Sequence, residues 1–78
     1  MVREEFIDAV RTGREIEFTC EGRSYFESHE ADDKWYIYSE RENKKQYFKS
    51  ADDLINNALI NGSPLSEMWY KIKIDYIL

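Results

Sequence analysis

The side chains of this chain that could take part in acid–base or metal chemistry concentrate between positions 27 and 33. His29 is the only histidine, and the carboxylates of Glu27, Glu30, Asp32 and Asp33 surround it in sequence. A histidine that acts as a general base needs a nucleophile in a defined geometry, and the nearby serines do not lie in a GxSxG-like elbow. The stretch also lacks the HExxH, EF-hand and cysteine–histidine spacings of metal sites. We interpret it as a solvated acidic turn with an exposed histidine, and predict no catalytic residue, no metal site and no cofactor.

The other reactive groups have structural explanations as well. Cys20 is the only cysteine, so an internal disulfide is impossible, and its alternation with Ile16 and Phe18 predicts a small core residue. The three glycines are too far apart for a phosphate-binding loop. The aspartate pairs at 32–33 and 52–53 fall where a turn and a helix cap already account for them. The sequence therefore predicts a protein that is not an enzyme.

Length and charge exclude several classes of function. The 78 residues, 1–78, correspond to a single small domain. The net charge of −5 argues against direct nucleic-acid binding and against docking on anionic lipid, both of which need Lys and Arg. No apolar run approaches the roughly 20 residues of a membrane helix, and the N-terminus is acidic where a signal peptide is basic. A lone thiol is typical of a reducing compartment, so we predict a cytoplasmic protein without membrane contact.

The elements that would position any site form an α+β domain. An N-terminal helix over residues 2–12 ends at Gly13, and a helix capped by Ser50 ends at Asn61-Gly62. Ser63-Pro64 resembles the start of a further short helix. Period-two alternation predicts a final strand within 70–78, with a continued helix as the alternative. Between the helices lies a four-stranded antiparallel meander, with strands at Glu15–Cys20, Arg23–Glu30, Lys34–Glu40 and Lys45–Lys49.

The meander has aromatic side chains on both faces. A two-residue turn at Glu21-Gly22 would pair Phe18 with Tyr25. A second tight turn at Asp32-Asp33 would place Tyr36 and Tyr38 on the same face as Tyr25. A sheet with one wet face should have one polar face, so either helices or a second subunit cover both faces, or one face is a binding surface. The tyrosine face is the better candidate, because a phenol keeps its hydroxyl in water; the alternative is that these tyrosines pack under the helices.

The run from SYF through WYIYSE to QYFKS, followed by ADDLINNALINGSPLSEMW, resembles small uncharacterised proteins carried by prophages and mobile elements of low-GC Gram-positive bacteria. The resemblance covers most of the chain in length and pattern and contains no motif of known biochemical role. It implies a small acidic protein that acts by binding another protein, such as a host-defence component.

Three functions remain open on these observations. The first is a protein-interaction module, such as an inhibitor of a host protein, with Tyr25, Tyr36 and Tyr38 as its binding residues and Asp32 and Asp33 at the rim. The second is an oligomer that binds a nucleotide-like small ligand through the clustered bases Arg41, Lys44, Lys45 and Lys49. The third is a structural homodimer whose interface is the second aromatic face.

Overall fold

The computed structural model describes residues 2–78. It contains two helices, a five-stranded sheet and a small two-stranded sheet. The elements in chain order are α1 Val2–Arg11, β1 Ile16–Cys20, β2 Arg23–Ala31, β3 Lys34–Ser39, β4 Lys44–Phe48, α2 Ala51–Asn57, β5 Leu59–Ile60, β6 Ser63–Pro64, single 3₁₀ turns at Leu65–Glu67 and Trp69–Lys71, and β7 Ile72–Ile77.

The first helix covers Val2–Arg11, one residue shorter at its end than the predicted 2–12. Its buried side chains, Phe6, Ala9 and Val10, form one stripe. Gly13 follows the helix with φ of 76°, a conformation that glycine takes without a steric penalty. The Gly13 N–H donates to the Val10 carbonyl at 3.0 Å and the Arg14 N–H donates to the Ala9 carbonyl at 2.9 Å. This pair of bonds is a Schellman motif, which satisfies two carbonyls at the helix end.

The large sheet is antiparallel with strand order β4-β3-β2-β1-β7. Phe18 pairs with Tyr25 and Ile16 with Glu27, as predicted from a two-residue turn. That turn has φ of 53° at Glu21 and 78° at Gly22, the positive angles of the favoured hairpin turn. The predicted final strand is confirmed as β7, which extends the four-stranded meander to five strands by pairing with β1.

The predicted register between β2 and β3 is wrong by one residue. Phe26 pairs with Tyr38 and Glu27 pairs with Ile37, and the register shifts between His29 and Ala31. Neither aspartate of the 32–33 turn has a positive φ, so the turn lacks the twist that matches two flanking strands. A β-bulge at the intervening residue restores the pairing. Because of this shift Ile37 points into the core, where it is fully buried.

The helices pack on one face of the sheet, called the inner face here. The ring of Phe18 in β1 meets the ring of Phe6 in α1 edge to face, with the ring centres 5.1 Å apart. It also stacks on the ring of Tyr25, with the ring centres 5.3 Å apart. Side chains of both helices and of the inner face form one hydrophobic core. The buried hydrophobic residues are Phe6, Ala9, Val10, Ile16, Phe18, Cys20, Tyr25, Ile37, Leu54, Ile55, Ala58, Ile60, Leu65, Met68 and Ile72.

The second helix ends at Asn57, before the predicted stop at Asn61-Gly62, and strands replace the short helix that was predicted to start at Ser63-Pro64. Ser63 and Pro64 form β6, paired with β5 across an Asn61-Gly62 turn that has positive φ at both residues. The Gln46 side chain holds β5 extended, because its amide donates to the Leu59 carbonyl at 2.7 Å and accepts from the Leu59 N–H at 2.9 Å. Two 3₁₀ turns then lead to β7. No helix within residues 2–78 is long and apolar enough to cross a membrane.

Candidate interaction surface

The opposite face of the sheet, the outer face, carries a row of aromatic side chains. Successive strand residues point to opposite faces, so the residues that alternate with Tyr25 and Glu27 in β2 and with Ile37 in β3 lie here, together with their partners in β4. Phe26 and Tyr36 have ring centres 6.5 Å apart, and Tyr36 and Tyr47 have ring centres 6.0 Å apart. Tyr38 lies directly across from Phe26. We call Phe26, Tyr36, Tyr38 and Tyr47 the outer aromatic row; all four remain partly or largely exposed.

One half of the row is covered by lysines of the same chain. The Lys45 ammonium lies 4.4 Å from the centre of the Tyr36 ring, and the Lys34 ammonium lies 5.0 Å from that of Tyr47. Both distances are within the range of cation–π attraction. Glu30 binds both lysines, at 3.2 Å from Lys45 and 3.5 Å from Lys34. The hydrogen bond from Lys45 lowers the pKa of Glu30, and the same bond raises the pKa of Lys45.

The other half of the row borders a groove of about 380 Å³. Phe26 and Tyr38 line it together with three carboxylates, Glu17, Glu40 and Asp75. Within residues 2–78, Glu17 and Glu40 make no ion pair. The Tyr38 hydroxyl donates to Asn43 Oδ1 at 2.7 Å, which holds the ring in place. This half is therefore aromatic and acidic, and its aromatic rings carry no cation of the described chain.

The predicted binding residues divide between the two faces. Tyr36 and Tyr38 lie on the outer face, but Tyr25 lies on the inner face, where only 4% of its surface is exposed. Burial raises the pKa of its hydroxyl. The predicted common face of the three tyrosines is thus wrong, and the cause is the bulge between β2 and β3. Asp32 and Asp33 are exposed in the hairpin turn, at the opposite end of β3 from Tyr38 and the groove.

The basic residues of the small-ligand alternative do not converge. Lys44 and Lys45 are consecutive in β4, so their side chains point to opposite faces. Lys45 is already bound by Glu30. Arg41 lines a shallow depression with Gly22 and Glu40, and Lys49 follows the end of β4. These charges are thus spread along the edge strand, with Lys44 at one end and Lys49 beyond the other, and they are not directed at a shared position.

The acidic stretch around His29 was predicted to be a solvated turn, but two of its side chains are buried or half-buried. Glu27 is fully buried on the inner face, and burial, followed by the nearby Glu15 carboxylate, raises its pKa to about 8. His29 is half-buried and stacks on Trp35 at 4.4 Å. The predicted exposure of both side chains is wrong, because both lie on the inner face of β2. Among the described residues, no group of three or more histidine, cysteine, aspartate and glutamate side chains is placed to hold a metal ion.

Several residues of the outer surface escaped the sequence analysis. Phe26 and Tyr47 belong to the outer aromatic row, and Glu17, Glu40 and Asp75 surround the groove. Strand alternation places Phe26 opposite to Tyr25, so the correct register alone would have grouped it with Tyr36 and Tyr38. The position of Asp75 depends on β7 pairing with β1, which the period-two pattern of the tail does not specify.

Comparison with known proteins assigns no role to this surface. No family model, curated protein or solved structure matches the chain. The side chains of the outer face are therefore the basis on which a function is inferred.

Proposed function

We propose that this protein is a small interaction module that binds a partner protein through the outer aromatic row and the adjoining groove. The observation that carries the proposal is the composition of a sheet face on which no helix packs. Such a face is ordinarily polar, but this one presents four aromatic side chains on three neighbouring strands. The ring of Tyr36 has its centre 6.5 Å from that of Phe26 and 6.0 Å from that of Tyr47. Tyrosine is enriched at protein interfaces, where its ring is buried and its hydroxyl finds a polar partner.

The size of the molecule agrees with this use. Its two longest extents are 30 and 27 Å. The largest cross-section of the molecule is therefore of the same order as the roughly 800 Å² that each partner buries in a standard interface. A sheet face is also a rigid platform, because cross-strand hydrogen bonds fix the backbone on which the side chains stand.

Binding, and not catalysis, is the activity that the described side chains favour. The Cys20 thiol is buried and its pKa is raised, which opposes a nucleophilic role. The Nδ1 atom of His29 is buried without a hydrogen-bond partner. The resemblance to prophage and mobile-element proteins favours a host protein in the cytoplasm as the partner. An inhibitor of such a protein acts by occupying its surface and needs no catalytic group.

The test combines capture of the partner with substitutions on the outer face. Tagged wild-type protein is used to isolate a stoichiometric partner from host lysate, and the purified partner is then titrated with Tyr36→Ala and Tyr38→Ala variants by calorimetry. We expect each to weaken binding at least tenfold, as is usual for an interface hot spot. Tyr70→Ala is the matched control, because Tyr70 is 82% exposed and lies in a 3₁₀ turn outside the sheet. Equal affinity of all three variants would refute the proposal.

Light scattering of the purified protein separates a second copy from a different partner. A dimer at micromolar concentration that Tyr36→Ala and Tyr38→Ala dissociate, and Tyr70→Ala does not, would assign the outer face to self-association. A monomer that binds its partner through the same residues supports the interaction module.

A further inference from the structure

We infer that the groove beside Phe26 and Tyr38 receives a cationic side chain, an arginine or a lysine, that anchors the partner protein. The inference rests on the function proposed above and specifies the chemistry of its partner. It derives from the contrast between the two halves of the outer aromatic row. In one half the aromatic rings are covered by lysines of the chain. In the other half neither the rings nor the carboxylates of Glu17 and Glu40 have such a cation within residues 2–78.

The covered half shows how this face holds an ammonium group. Lys45 lies between a carboxylate and an aromatic ring, 3.2 Å from Glu30 and 4.4 Å from the centre of the Tyr36 ring. The carboxylate supplies the charge, and the ring supplies a negative face that attracts the cation. The same components recur in the groove, where Phe26 and Tyr38 lie with Glu17 and Glu40.

The cations that lie near the groove leave this site open. Lys73 is the nearest in sequence to Asp75 and contacts it at 3.8 Å, but the Lys73 side chain is 81% exposed. Asp75 also accepts a hydrogen bond from the Thr19 hydroxyl at 2.6 Å, so both of its oxygens already have a partner in the chain. Arg41 follows Glu40 in the chain and lines a separate depression beside Gly22. Glu17 and Glu40 are therefore the two carboxylates available to an incoming charge.

The groove has the dimensions that an arginine or lysine side chain needs. Its volume of about 380 Å³ falls at the lower end of the range for pockets that take small molecules. The apolar stem of an incoming side chain would lie against Phe26, as long cationic side chains do on apolar surfaces. Its charged end would lie in the groove that Tyr38 lines together with the carboxylates of Glu17 and Glu40. Arginine is also among the residues enriched at interface hot spots, which fits a partner with a basic patch and this acidic chain.

The first experiment uses a defined probe. We would titrate ¹⁵N-labelled protein with the capped peptide acetyl-Gly-Arg-Gly-amide, with acetyl-Gly-Gln-Gly-amide as the uncharged probe, and follow amide chemical shifts. We expect the arginine peptide alone to change the amide chemical shifts around Phe26 and Tyr38. These changes should saturate with a millimolar dissociation constant. Glu17→Gln and Glu40→Gln should each weaken this binding at least threefold. Glu67→Gln removes the same charge from an exposed position in a 3₁₀ turn and should leave it unchanged.

Either of two results would overturn the inference. One is a shift pattern that the two peptides share, or that spreads over all acidic residues of the chain. The other is an isolated partner whose affinity falls in Tyr38→Ala and stays unchanged in Glu17→Gln and Glu40→Gln, which would leave the interaction module standing and remove its cationic anchor. A partner whose affinity is unchanged in the tyrosine variants would instead refute the function itself.

Discussion

Glu27 and Ile37 are cross-strand partners on the inner face of the sheet, and neither side chain exposes any surface. A carboxyl group thus occupies a core position beside an aliphatic side chain. Both of its oxygens lack a hydrogen-bond partner within the described residues. Burying an ionised carboxylate in this way is costly, and the group responds by retaining its proton.

The first prediction concerns the pH dependence of stability that this group creates. Burial, with a smaller contribution from Glu15, raises the pKa of Glu27 from 4.5 to about 8 in the folded protein. Between these two values the folded state holds a proton that the unfolded state releases, so stability falls as pH rises through this window. At about 1.4 kcal/mol per pKa unit, the loss amounts to a few kcal/mol. Urea unfolding of wild type and Glu27→Gln between pH 5 and pH 9 measures it.

We expect Glu27→Gln to be the more stable protein at pH 9 and close to wild type at pH 5. The difference between the two proteins isolates Glu27 from groups such as Glu30, whose lowered pKa acts in the opposite direction at acidic pH. Glu17→Gln, a change of the same kind at an exposed position of β1, is the control and should follow the wild-type curve. Parallel curves for wild type and Glu27→Gln would show that Glu27 is not buried as described.

The second prediction tests the register between β2 and β3. Ile37→Ala should destabilise the protein by about 2–5 kcal/mol, because the substitution opens a cavity in the core. Tyr38→Ala should cost less, since the Tyr38 side chain stands on the partly exposed outer face. Chemical denaturation of both variants decides the matter. The register that a simple two-residue turn would give predicts the reverse order, with Tyr38 in the core and Ile37 outside.

The order of the elements up to the second helix could be predicted because it follows from local signals. Gly13 ends the first helix, Glu21-Gly22 makes the first hairpin turn, and Ser50 caps the second helix; each acts over a few residues. The bulge at Glu30 is different in kind. It depends on two features together, the backbone twist of the turn at 32–33 and the burial of Ile37 in the core. The second is a property of the tertiary structure, which local sequence does not specify.

The candidate surface was predictable only where it depends on local sequence and not on the pairing of distant strands. Tyr36 and Tyr38 were identified because aromatic alternation is visible within one strand. Tyr25 was misplaced because its face relative to β3 depends on the bulge. The groove carboxylates, Glu17 and Asp75, are separated by more than fifty residues in sequence and meet only because β7 pairs with β1.

The third prediction concerns the reactivity of the only cysteine. Cys20 is fully buried between strands β2 and β7, and burial, with the adjacent Glu21 charge, raises the pKa of its thiol. Because the thiolate is the reactive species, we expect a thiol reagent to label the native protein at least about 100-fold more slowly than the protein unfolded in urea. Labelling at equal rates would place Cys20 at the surface.

The fourth prediction concerns the start of α2. Ser50 has an extended backbone, and its hydroxyl accepts a hydrogen bond from the Asp53 N–H at 3.0 Å. Asp53 in turn accepts from the Lys49 N–H at 3.0 Å, so the reciprocal bond of a capping box falls one residue earlier than in its usual form. Ser50→Ala removes the cap and should reduce the free energy of unfolding by about 1 kcal/mol. Ser66→Ala, at an exposed position of a 3₁₀ turn, should change it by less than about 0.5 kcal/mol. Urea unfolding monitored by circular dichroism compares the two variants, and an equal effect of both would mean that the Ser50 hydroxyl does not cap the helix.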